Sequence, residues 1–76
     1  MKTIPEILNG IRPEFDFTTS SDFITDGMLD SFDVMMLVSE LDKSYGISID
    51  GMSIVPENFR NIAAIEDVLR KHGATP

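Results

Sequence analysis

The chain contains no cysteine. Disulfides and thiolate metal sites are therefore excluded as supports for its core. It has a single histidine, His72, about forty residues from the nearest serine of interest, so no Ser/His pair for nucleophilic catalysis is indicated. No apolar run approaches the roughly 20 residues of a membrane span. The opening Met1-Lys2-Thr3-Ile4-Pro5-Glu6 lacks the apolar core of a signal peptide. These absences predict a cytoplasmic protein that is not embedded in a membrane. Basic residues are also scarce, six against thirteen acids, for a net charge of −7. The deficit is concentrated in residues 14–57, where ten acids (Glu14, Asp16, Asp22, Asp26, Asp30, Asp33, Glu40, Asp42, Asp50 and Glu57) face one base, Lys43, for −9. Such a field repels nucleic acid and favours fast, salt-dependent encounter with basic partner surfaces.

Seventy-six residues make one domain, 1–76, near the lower size limit for independent folding. A chain of this size buries only about 60–65% of its unfolded surface, and a small helical bundle is the economical architecture. Thr3 and Glu6 have capping-box spacing, with Pro5 in the first turn. Ile4, Ile7, Leu8 and Ile11 form a helical stripe, and Gly10 and Pro13 are predicted to end that helix. Residues 13–30 show no period. Their Thr, Ser, Gly and Pro favour a long loop, with Phe15, Phe17, Phe23 and Ile24 pinning it to the core.

A second helix is predicted from Asp30 or Ser31 to about Ser44, with Asp30 able to cap it and Asp33 at N3. Val34, Leu37, Val38, Leu41 and Tyr45 form its core face, and Gly46 its stop. Ile47-Ser48-Ile49 reads as an extended connection, and Val55–Arg60 as a short helical piece opened by Pro56. Asn61 caps a last helix from Ile62 to about Lys71, with Ile62, Ile65 and Leu69 inward and Val68 at the edge. Glu66 can pair with Arg70, and Gly73 terminates it. The expected fold is all-α: three main helices, one short one and a long first loop, a small four-helix bundle.

Three constellations could carry function. Phe32, Met35 and Met36, joined by Ser39 and Lys43, lie opposite the core face of the second helix. Clustered there, they suggest a docking patch for which flexible methionine is suited; covering the 13–30 loop or forming a homodimer are the alternatives. Ser31 stands at a helix start, where amide hydrogens and the dipole favour a phosphate ester, or where it serves simply as the cap. Finally, Asp22, Asp26, Gly27, Asp30 and Asp33 fit part of a calcium-loop template. Ile24 stands where an oxygen ligand belongs and Asp33 where the bidentate glutamate belongs, which leaves at most weak divalent binding at Asp26, Asp30 and Asp33.

Asp30-Ser31-Phe32, followed by an acidic two-faced helix, resembles the attachment site of the acyl and peptidyl carrier proteins. The resemblance extends over about residues 3–72 through the order of elements. It implies that Ser31 carries 4′-phosphopantetheine, delivered from coenzyme A by a phosphopantetheinyl transferase, with Asp30 presenting the site. It also implies that Phe32, Asp33, Met35, Met36 and Ser39 meet partner enzymes. The arm would supply the thiol that the chain lacks, hold an acyl or aminoacyl group as a thioester, and pass it from an adenylating ligase to a downstream acyltransferase or synthase. A carrier of this kind catalyses nothing itself and is usually a monomer. Fatty-acid carriers place glycine where Met28 stands here and commonly an acid where Met36 stands. Asp26-Gly27-Met28-Leu29-Asp30-Ser31 looks more like the D-alanyl carrier proteins, so the cargo expected is D-alanine or another amino acid, the alternative being a fatty or polyketide acyl group.

Overall fold

Helix α1 (Ile4–Ile11) begins where Thr3 accepts a hydrogen bond from the Glu6 amide and Glu6 reaches back to the Thr3 amide, the capping box its spacing called for. The computed structural model describes residues 3–76; Met1 and Lys2, part of the stretch read for a leader, lie outside the described residues. Ile4, Ile7 and Leu8 turn inward. Gly10 does not end α1. It is helical, and the last turn closes instead at Arg12, whose amide donates to the Leu8 carbonyl.

Helices α2 (Ser31–Tyr45) and α3 (Ile62–Lys71) complete the frame, with α1 packed on both. No strand occurs among the described residues, and Ile47-Ser48-Ile49 is an extended connection. Val34, Leu37, Val38 and Leu41 of α2 are buried and Tyr45 is half-buried. On α3 the buried residues are Ile65, Val68 and Leu69, while Ile62 is only partly covered. The inward face of α3 is therefore rotated from the Ile62/Ile65/Leu69 expectation, because its first turn lies at the rim of the core. Asn61 caps α3 through the Ala64 amide. Arg70 pairs more closely with Asp67 (3.1 Å) than with Glu66 (4.0 Å). The short helix expected at Val55–Arg60 is a single 3-10 turn, Pro56–Asn58, followed by the fully buried Phe59. What is observed is an all-helical fold of three α-helices and short turns around one core, with a radius of gyration of 11.1 Å. No helix of the described residues is long and apolar enough to cross a membrane.

Residues 13–30 are far more structured than their composition suggests. Asp16 caps a 3-10 turn, Phe17–Thr19, by accepting from the Thr18 amide. Asp22 accepts from the amides of Ile24 and Thr25 and so caps a second turn. That turn closes at Gly27 (φ +72°): Gly27 N–H donates to the Ile24 carbonyl and Met28 N–H to that of Phe23, the bonding pattern of a Schellman stop. Each turn drives one phenylalanine inward, and Phe17 and Phe23 meet edge to face at 5.0 Å. Phe15 and Ile24 pack partly against the same cluster.

The two glycines Gly10 and Gly27 should respond with opposite sign to alanine. A methyl at either meets nothing within 4 Å, so only backbone conformation differs. Gly27→Ala forces a left-handed alanine and should destabilise by about 1–2 kcal/mol. Gly10→Ala, in helical backbone, should stabilise by about 0.5–1 kcal/mol. Urea midpoints of the two variants measure both.

Candidate functional site

The turn that ends at Gly27 aims the chain into α2. Met28 and Leu29 are buried, and their amides both donate to the Phe23 carbonyl. Leu29 and Val34 take the two positions of a hydrophobic staple around the helix start, and both are buried. Between them Asp30 is the N-cap. Its carboxylate accepts from the Asp33 amide (2.9 Å), and the Asp33 carboxylate accepts from the Asp30 amide (3.1 Å). This is a capping box in which Asp33 replaces the usual glutamate.

Asp33 is also the buried anchor of the site, 4% exposed. Burial pushes its carboxyl pKa up, but the Asp30 amide and the Arg12 guanidinium outweigh that and hold it below the usual carboxylate range. Arg12, at the end of α1, donates through Nε to Asp33 Oδ2 at 2.8 Å, and through its terminal nitrogens to Glu14 (3.2 Å) and Asp30 (3.4 Å). Its own pKa is raised, first by the hydrogen bond to Asp33. Arg12 thus ties the end of α1 to the start of α2.

Ser31 is not the cap of α2. It occupies the first helical position, is exposed, and its hydroxyl makes no hydrogen bond among the described residues. The alternative in which Ser31 is the N-cap is removed, since Asp30 holds that position. The amides of Ser31 and Phe32 belong to the first turn and have no intrahelical acceptor. Ser31, Met35 and Ser39 follow one another at four-residue spacing as an exposed ridge on α2. Beside it Phe32 is 79%, Met35 60% and Met36 45% exposed, so the apolar residues do not cover the 13–30 loop. Met36 and Ser39 also line a shallow groove of about 360 Å³ against Ile7, Gly10 and Ile11 of α1.

One expectation is corrected. Asp33 is not part of a docking surface; it faces inward because the capping box and Arg12 both draw on its carboxylate. Asp26, Asp30 and Asp33, named for weak divalent binding, are not gathered into one cluster. Asp26 accepts from the Ser20 hydroxyl, Asp30 and Asp33 are engaged with amides and Arg12, and no group of three or more potential ligands is assembled among the described residues. Two residues escaped sequence reading. Arg12 pairs across 21 positions, a separation no local pattern reveals. Met52, 92% exposed, is carried on the turn Gly51–Ser53.

Arg12→Met should lower the melting temperature more than Arg70→Met, because only the former leaves a buried carboxylate without its cation. The stability contributed by Asp33, with its lowered folded pKa, is present above the unfolded value and is lost as pH falls through the folded one. Without Arg12 that folded value rises, so acid unfolding followed by circular dichroism should begin at higher pH in Arg12→Met than in the wild type.

Compared with protein-family models, with curated proteins and with solved structures, the chain matches none.

Proposed function

We propose that this chain is a carrier protein: Ser31 bears 4′-phosphopantetheine and holds an acyl or aminoacyl group as a thioester on its thiol. The observation that carries this reading is the division of labour at the start of α2, where Asp30 does the capping and leaves the Ser31 hydroxyl exposed and, among the described residues, unbonded. A serine kept at a helix start for its capping would be engaged; one kept for attachment must be reachable.

In the transfer, the Ser31 oxygen attacks the phosphorus bearing the pantetheine arm of coenzyme A. A phosphodiester forms, adenosine 3′,5′-bisphosphate leaves, and a base of the phosphopantetheinyl transferase takes the hydroxyl proton. The first-turn amides of Ser31 and Phe32, which have no intrahelical acceptor, suit the negative phosphodiester. The thiol of the arm is then charged by an adenylating ligase, with release of AMP, and discharged by an acyltransferase or synthase. Phe32, Met35, Met36 and Ser39 provide the exposed surface those enzymes would share, in the cytoplasm. This reading takes the Pro56–Asn58 turn as a reduced third helix of a four-helix carrier bundle. Gly27, placed as in the D-alanyl carriers, favours an amino acid as cargo over a fatty or polyketide acyl group.

A second reading rests on the same patch: an interaction module with no covalent group, in which Phe32, Met35 and Met36 are the whole function. Coexpression with a promiscuous phosphopantetheinyl transferase, followed by intact-protein mass spectrometry, separates the two. The carrier should gain one phosphopantetheine mass, and Ser31→Ala should gain none while melting almost as the wild type does. Asp30→Ala should instead cost about 0.5–2 kcal/mol as a lost cap. A wild-type chain left unmodified by every transferase tried would overturn the carrier reading.

A further inference from the structure

The connection between α2 and α3 is held from both helices at consecutive amides. Ile49 N–H donates to Asp42 Oδ1 of α2 (3.0 Å), and Asp50 N–H points at Nε2 of His72, the residue that ends α3 (3.2 Å). The His72 side chain is 13% exposed. Its Nδ1 lies 2.8 Å from the Val68 carbonyl, an acceptor only, so Nδ1 carries a hydrogen and Nε2 is the nitrogen that titrates. Nε2 also lies 3.3 Å from Asp50 Oδ2. It therefore has two partners of opposite character within reach: an amide that it can accept from only when neutral, and a carboxylate that it can donate to only when protonated. The other Asp50 oxygen caps the Gly51–Ser53 turn through the Ser53 amide, and Met52 stands exposed on that turn.

We propose that His72 is a proton-operated clamp on the α2–α3 connection, which exchanges a tie to the Asp50 amide for a tie to the Asp50 carboxylate and thereby repositions the turn that presents Met52. In the neutral form the backbone of Asp50 is held and its carboxylate is engaged only by the turn. In the protonated form Nε2–H donates to the carboxylate and the Asp50 amide is released to water.

The surroundings favour the charged form. Asp50 on the turn and Asp42 on α2 both act on the ring as negative charges. On its own helix Arg70 is turned to Glu66 and Asp67, and Lys71 is exposed. The Val68 carbonyl, foremost, and the Asp50 carboxylate raise the His72 pKa above its ordinary value against the opposing effect of burial. Asp50 is lowered, chiefly by its bond to His72, so it stays ionised while the imidazole titrates. With a raised folded pKa, the contribution of the clamp is complete below the unfolded value of about 6.5 and is lost as pH rises through the folded one.

The test is a nuclear magnetic resonance titration of the full chain over about pH 5–8, the range in which histidine changes charge. The Asp50 amide and the Met52 methyl should shift with the same midpoint as the His72 ring, above its ordinary value. In His72→Gln, which keeps polar atoms at the position without a charge change, both signals should be flat. In Asp50→Asn, which keeps an oxygen for the Ser53 amide, the His72 midpoint should fall. An Asp50 amide and a Met52 methyl that stay flat while the ring titrates would overturn the proposal. So would a midpoint that persists in His72→Gln or is unmoved in Asp50→Asn.

Discussion

A carboxylate buried at a helix start is costly unless it is hydrogen-bonded and paired with a cation, and Asp33 is the case on which this fold depends. The Asp30 amide and the Arg12 guanidinium both donate to its Oδ2. The first bond sets where α2 begins, and the second sets where α1 ends relative to it. Because Asp30 and Asp33 complete the cap between them, the residue directly after the cap is released from capping. Ser31 therefore stands at the first helical position with an exposed hydroxyl as a direct consequence of how Asp33 is satisfied.

The same chemistry recurs through the acidic middle of the chain. Asp16, Asp22, Asp30, Asp33, Asp42 and Asp50 each accept a backbone amide. Short carboxylates bind amides a few residues away, which lets a cysteine-free chain hold long connections without regular secondary structure. The density of aspartate is thus an architectural feature as well as an electrostatic one. Both roles coexist because a carboxylate bonded to amides keeps its charge. The segment retains its −9 field while its connections stay ordered.

The proposed function rests on what α2 turns outward. One side of that helix closes the core, and the other carries Ser31, Phe32, Met35, Met36 and Ser39. A carrier and an interaction module would use the same patch. They differ only in the chemistry of the Ser31 oxygen, which is why the placement of the cap carries more weight than the patch does. The α2–α3 connection is a separate device, tied at Asp42 and His72, and it displays Met52 on a turn remote in sequence from Ser31.

Much of this was legible in the linear chain. The capping spacing of Thr3/Glu6, Asp30/Asp33 and Asn61, the apolar periods of the three helices, and the outward Phe32, Met35 and Met36 are local features, set by contacts three or four residues apart. The order inside residues 13–30 was not, because Asx-capped single turns leave no period to read. The rotation of α3 towards Val68 and the single turn at Pro56–Asn58 depend on how the last helix meets its neighbours. The sequence alone thus determined the capping spacings and the apolar faces of α1 and α2. Only the tertiary structure decided what the carboxylates do, because the pairing of Arg12 with Asp33 and of His72 with Asp50 joins residues about twenty positions apart, brought together by packing rather than by spacing.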